Sequence, residues 1–311
     1  MRLSVLSFGF VCLCAVAVGI AAVPIQEEDD IRGAFLTTRP KEKPQNSGTT
    51  TRPSRRSPKK PVTPNKPPVN DSNGGQSGSA RPSGPSKPSG PSTSSGSSKP
   101  VNAQRLGLGV TLFMRDSSGL AVRVDPEHVF QKGDRVRVLL ETNADGYLYI
   151  FNTTNHGQPV MIYPNADLDE GGNYLQAHVP FEIPASNAPQ ERLRWFVFDE
   201  NAGTEQLFFV FSREPLNDVP IEDQLNALCR DSKDKCPFKP NGEVWAALQK
   251  EMQEPLKQDK AVQSGKSQTA TEQQASTRGL GLAKTDPEPS MVLMASTPRP
   301  TLVAALDLIH N

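Results

Sequence analysis

The sequence predicts a mainly β protein, an antiparallel β-sandwich or barrel-like domain with two short helices, preceded by a long disordered spacer. Three observations lead there. Short runs rich in Val, Leu, Ile, Tyr and Phe recur between residues 106 and 211, each bounded by Gly, Asn, Asp or Ser clusters, a rhythm typical of antiparallel all-β domains. After Pro215 the apolar spacing becomes helical. Residues 39–103 are dominated by Pro, Ser, Gly, Thr, Asn and Lys/Arg, with too little apolar surface to offset the entropy of ordering them.

Residues 1–22 open with Arg2, continue through an apolar core from Leu3 to Val18 and leave through Gly19-Ile20-Ala21-Ala22. That is the layout of a secretory signal peptide, cut after Ala21 or Ala22. An anchor would need about 20 apolar residues with flanking stop-transfer charge. Here acidic residues from Glu27 to Asp30 follow instead, so cleavage is favoured and the product is expected to be periplasmic or extracellular, with no membrane span. Leu13, just before Cys14, is too bulky for a lipoprotein cleavage site. Residues 23–38 form a short island with Ile31, Phe35 and Leu36, read either as a linear docking motif or as a strand added to the body.

The chain holds 34 basic and 34 acidic residues, a balance that hides an asymmetry. In the spacer, Arg39, Lys41, Lys43, Arg52, Arg55, Arg56, Lys59, Lys60, Lys66, Arg81, Lys87 and Lys99 face only Glu42 and Asp71, leaving the rest net acidic. Pro-rich parts of the spacer lean toward polyproline II. Its charges either keep the linker soluble and stretched or make weak contact with polyanions. Specific nucleic-acid binding is not expected, because no aromatic residues interleave to stack on bases.

The globular body spans 104–216, with strands expected at 106–114, 121–124, 135–141, 146–152, 159–163, 178–183, 192–198 and 206–211. In 135–141, Val136, Val138 and Leu140 alternate with Arg135, Arg137 and Glu141, which predicts a half-solvated strand. In 147–151 and 207–211 both phases are apolar, which predicts central strands covered on both faces. The aromatic residues gathered there, with Trp195, Phe196 and Phe198, read as core rather than as an exposed sugar-binding platform.

Residues 217–252 read as two helices: Ile221, Leu225 and Leu228, then Val244, Trp245 and Leu248. Between them lie Cys229 and Cys236, the two cysteines left after signal removal. In an oxidising compartment such a pair is most simply a disulfide; no neighbouring His or Cys completes a metal set. Residues 253–289 read as a second disordered linker. The apolar runs within 290–311 are expected to return to the body as strands, with a docked helix as the alternative.

No catalytic grouping emerges. His128, His156, His178 and His310 show no metal-ligand spacing, and no nucleophile motif or phosphate-binding loop is present. The acidic run from Asn165 to Asn173 begins like a calcium loop, but Glu170 stands where the turn glycine belongs and Gln176 where the bidentate Glu belongs. It reads as a solvated turn. No metal and no cofactor are expected.

One constellation remains: Gly133-Asp134 before a strand, then Gly146-Tyr147-Leu148-Tyr149, a turn glycine at Gly157, and Tyr163-Pro164-Asn165. In this pattern the chain resembles the family catalogued as domain of unknown function 4384, over about residues 106–215 and the terminal strand, where Ile309-His310 matches an aliphatic run closing near a His. The resemblance implies an accessory module that binds rather than catalyses. The expectation is therefore an exported, non-enzymatic interaction module for a protein or cell-envelope polymer. The alternatives are a cell-envelope polysaccharide hydrolase and a polyanion-binding stalk protein.

Overall fold

A computed structural model describes residues 30–41, 104–165 and 172–311. The signal-peptide reading of 1–22, the spacer reading of 42–103 and the centre of the acidic run lie outside the described residues.

The elements run α1 (Ile31–Thr37), β1 (Gly107–Arg115), β2 (Ala121–Arg123), β3 (Arg135–Thr142), β4 (Gly146–Thr154), β5 (Val160–Tyr163), β6 (Tyr174–Leu175), β7 (Phe181–Ile183), β8 (Phe196–Val197), β9 (Gly203–Ser212), α2 (Glu222–Asp231), α3 (Gly242–Met252), β10 (Leu256–Lys260), α4 (Ala270–Arg278), β11 (Met291–Ala295) and β12 (Thr301–His310). Two antiparallel sheets result. The first has the order β10-β11-β1-β3-β7, with β2 beside β1 and β8 beside β3. The second has the order β12-β9-β4-β5, with β6 beside β4. Leu108, Val110 and Leu112 of β1 share one core with Leu148 and Ile150 of β4 and Phe209 and Phe211 of β9, so the sheets pack face to face as a sandwich.

Strands β4 and β9 are buried on both faces, as their unbroken apolar sequence predicts. Their outward residues Tyr149, Phe151, Phe208 and Val210 pack under Leu225 of α2 and Leu248 of α3. The Trp245 ring meets Phe151 and Phe208 edge-on, at 5.9 and 4.8 Å between centroids. The Cys229–Cys236 disulfide joins the end of α2 to the loop before α3, with Cα atoms 5.6 Å apart.

Four readings require correction. The island is neither a strand nor a free motif: α1 packs Ile31 and Phe35 against Val292 and Met294 of β11. Arg39, assigned to the spacer, is fully buried against Glu141. Residues 253–289 are not a disordered linker but contain β10, which extends the first sheet, and α4. The polar face of β3 is not solvated: Arg137 and Glu141 are buried. Arg137 pairs with Glu182 at 3.2 Å and lies 4.0 Å over the Trp195 ring, so β7, the segment before β8 and, at Glu141, the segment after α1 cover the face that alternation alone assigns to water. The terminal segment does return as strands, β11 entering between β10 and β1, and β12 pairing along β9 from Thr301 opposite Ser212 to His310 opposite Gly203.

Candidate functional site: a cleft beside His310

The inward phase of β12 carries Leu306, Leu308 and His310 into the interior between the sheets. At its end a single parallel bridge joins His310 to Phe130: Phe130 N donates to Ile309 O at 2.8 Å and Asn311 N to Phe130 O at 3.0 Å. Phe198 packs between the two rings, stacked on Phe130 at 4.7 Å and tilted against His310 at 4.9 Å. The Gly133-Asp134 turn holds Phe198 in place, since Gly133 N donates to Phe198 O and Phe198 N to Asp134 O, at 2.9 and 3.1 Å. Gly133 has φ +89°, a conformation glycine adopts without penalty.

Beside these rings is a cavity of about 220 Å³, walled by Val136, Ile162, Phe196, Leu207 and Leu308, with Asn152, Asp199, Glu205 and His310 as its polar groups. His310 is 2 % exposed, and neither ring nitrogen has a hydrogen-bond partner among the protein atoms. Its Nε2 stands 3.9 Å from Glu205 Oε1. Asn152 Nδ2 donates to Glu205 Oε2 at 2.7 Å, and Thr154 Oγ1 donates to the same oxygen at 2.9 Å. This fixes the amide and leaves Asn152 Oδ1 buried without a partner. Backbone and side-chain hydrogen bonds from Asn201 hold the Asp199 carboxyl below the usual carboxylate range, with smaller help from His310 and Lys132. An unpaired buried polar atom costs about 1–3 kcal/mol, so three on two residues that line one cavity demand a reason. No Ser, Thr, Cys or Lys lines the cavity. The arrangement can grip a small group, and its reactive side chains are two carboxylates and an imidazole, with no hydroxyl, thiol or amine.

A second buried cluster has the connectivity of a hydroxyl–imidazole–carboxylate relay. Thr38 Oγ1 lies 2.8 Å from His178 Nε2, and His178 Nδ1 lies 2.7 Å from Glu141 Oε1. Its chemistry is nevertheless structural. Arg39 occupies both Glu141 oxygens, and Thr38 donates to Phe35 O at 2.6 Å, so the hydroxyl hydrogen is committed away from the imidazole. The cluster clamps α1 to the body. Among the described residues, no group of three His, Cys, Asp or Glu side chains could hold a metal ion, and no helix is long and apolar enough to cross a membrane.

The quoted motif residues do not converge on one site. Gly133 and Asp134 buttress the cleft, whereas Gly146, Tyr147 and Tyr149 build the second sheet. Gly146 is required by close approach, since a Cβ there would lie 2.5 Å from Ser212 O. Tyr149 OH accepts from Leu216 N at 3.3 Å, while Tyr163, ahead of Pro164 and Asn165, packs on Phe181 and donates to Gly172 O at 2.8 Å. Nothing in the sequence groups Asn152, Asp199, Glu205 and His310 as a set. One signal existed: His310 shares the phase of Ala304, Leu306 and Leu308, which places an imidazole where alternation demands an apolar side chain.

Residues 129–215 match the model of the family described as domain of unknown function (DUF4384). The match covers the segment that carries Gly133-Asp134, Gly146-Tyr147-Leu148-Tyr149 and Tyr163-Pro164-Asn165. Comparison with curated proteins gives no match, and neither does comparison with solved structures.

Proposed function

We propose that this is an exported, non-enzymatic binding module of the cell envelope, and that it holds its partner at the cleft beside His310. One observation carries the reading: a buried imidazole without a hydrogen-bond partner lines a cavity that contains no hydroxyl, thiol or amine side chain. The edge of β12 beside it supplies a second grip. Ile309 O and Asn311 N face away from β9, toward Phe130. By strand alternation the backbone groups of Val303, Ala305 and Asp307 face the same way, toward the side on which an extended segment can add.

Two carboxylates, Asp199 and Glu205, share the cleft, and this is the feature a polysaccharide hydrolase would use. In that reading Asp199, held below the usual range, could serve only as the ionised carboxylate and not as the general acid. The cavity is also small beside a polymer. The basic spacer adds weak, salt-sensitive contact with polyanions.

The test is proximity labelling in the native envelope with the full exported chain and its Val197→Arg variant. Val197 lies on the cleft and is 54 % exposed, so the substitution blocks the cleft without burying a charge. Partners should be lost from the variant. An unchanged partner set, or release of sugar from labelled wall material, would sink the proposal.

A further inference from the structure

From its hydrogen-bonding inventory, we infer that the cleft takes a cationic head, a primary ammonium or guanidinium, carried on a short apolar stem. The inference rests on the cleft being the binding site and specifies what enters it. Asn152 Oδ1 has no partner. Glu205 Oε2 is engaged by Asn152 and Thr154, while Oε1 makes no hydrogen bond and looks toward His310 at 3.9 Å. A neutral imidazole offers one donor and one acceptor. Asp199 adds a second carboxylate, and no Lys or Arg lines the cavity. Acceptors therefore outnumber donors, and the lining charge is negative.

A carboxylate or phosphate would face two like charges and leave Asn152 Oδ1 unpaired. A neutral alcohol brings one donor. An ammonium brings three and a guanidinium five, with no acceptor to waste, and a charge taken out of water is tolerated where opposite charge and hydrogen bonds meet it. Size agrees. A cavity of about 220 Å³ holds roughly seven waters at their liquid volume, enough for such a head and a few methylenes but below the roughly 300–1,000 Å³ of larger ligand pockets. Val136, Ile162, Leu207 and Leu308 provide walls for the stem.

The test titrates the full exported chain with n-butylammonium, n-butylguanidinium, n-butanol and butyrate, read by calorimetry and by the ring resonances of His310. Both cations should bind at least tenfold more tightly than butanol and shift His310, with butyrate showing no binding. Glu205→Gln and Asn152→Leu, each checked for an unaltered melt, should each weaken the cations about tenfold. The cation ranking in the wild-type protein decides the matter should either variant fail to fold. A blocked peptide with one central lysine, beside its acetyl-lysine twin, separates the sources. Tighter binding of the lysine peptide than of butylammonium assigns the head to a protein side chain, and the reverse assigns it to a free amine; either supports the inference. Butanol or butyrate binding as tightly as butylammonium overturns the cation preference but leaves the cleft a binding site. Silence of His310 toward every probe overturns both.

Discussion

Arg39 and Glu141 form a buried, two-pronged ion pair across 102 residues of sequence, with Nε to Oε1 at 2.8 Å and Nη2 to Oε2 at 2.6 Å. The remaining guanidinium hydrogens go to the carbonyls of Ala283, Asp286 and Pro287. One arginine thus joins the segment after α1 to β3 of the first sheet and to the loop before β11. Removing one partner leaves the other charge buried and unpaired, which typically costs about 3–5 kcal/mol. Arg39→Ala should therefore lower the urea midpoint strongly and open residues 30–41 to limited proteolysis. A variant with the wild-type midpoint would show that α1 is not clamped.

The same carboxylate sets a pH dependence. Burial alone would raise the Glu141 pKa, but hydrogen bonds from His178 and Arg39 outweigh it and hold the carboxyl below its ordinary value of 4.5. With the folded pKa below the unfolded one, the unfolded chain binds the proton first. The stabilisation is complete above the unfolded pKa and is lost as pH falls through the folded value. Denaturation midpoints should fall below about pH 4.5. Glu141→Gln should be less stable at pH 7 and lose less on acidification; parallel slopes for the two proteins would refute the assignment.

The sequence reveals what is local and conceals what is remote. Strands β4 and β9 are readable because every position from Tyr147 to Phe151 and from Leu207 to Phe211 is apolar, and only double burial explains that. The outer face of β3 misleads for the converse reason. Arg137 and Glu141 alternate with Val136, Val138 and Leu140 as solvent-facing residues do, yet their partners Glu182, Trp195 and Arg39 are supplied by distant segments. Arg39 looks like spacer because its neighbours from Lys41 onward are. The cleft is half legible: the Gly133-Asp134 turn that holds Phe198 stands out in the sequence, but the meeting of Asn152, Glu205 and His310 depends on how β4, β9 and β12 pair.

Two motif glycines separate steric crowding from backbone conformation. A Cβ at Gly146 would sit 2.5 Å from Ser212 O, a backbone atom of the neighbouring strand, and 2.8 Å from the Phe211 ring. Gly146→Ala should cost about 1–3 kcal/mol, as overpacking does. At Gly133 nothing lies within 4 Å but φ is +89°, so Gly133→Ala should cost about 1–2 kcal/mol through conformation alone. Gly133→Asn should cost less than Gly133→Ala, because Asn tolerates positive φ better. No such rescue is expected at Gly146, where space is the limit. Equal recovery by Asn at both positions in chemical denaturation would contradict the distinction.

Reduction of Cys229–Cys236 should act locally. The bridge spans seven positions, and chain-entropy arguments give about 2 kcal/mol for so short a loop. Helices α2 and α3 also have their own contact with the second sheet through Leu225, Leu248 and Trp245. Hydrogen exchange should quicken in 222–252 on reduction while amides of β4 and β9 stay protected. Global loss of protection would mean that the bridge, not the apolar contact, holds the helices in place.

Glu272 offers the sharpest test of the buried polar face, because its two oxygens do different work. Oε2 accepts from Thr269 N and Thr269 Oγ1, both at 2.8 Å, and Thr269 Oγ1 in turn accepts from Glu272 N at 3.2 Å, a reciprocal cap on α4. Oε1 meets Arg123, whose pKa is lowered chiefly by desolvation, with Glu272 opposing the shift. Glu272 is 2 % exposed. Glu272→Leu should cost about 3–5 kcal/mol for the stranded guanidinium and about 1 kcal/mol more for the lost cap. Arg123→Met alone should also destabilise, by stranding the carboxylate. The double variant should be less destabilised than the sum of the singles, since it leaves neither charge unpaired. It should still lack the carboxylate half of the cap, while Thr269 Oγ1 keeps the bond from the backbone amide of residue 272, so Thr269→Ala should cost about 1 kcal/mol in either background. Strict additivity of Glu272→Leu and Arg123→Met in the denaturation cycle would mean that the two residues do not act as a pair, and that α4 is held to the first sheet by its apolar contacts alone.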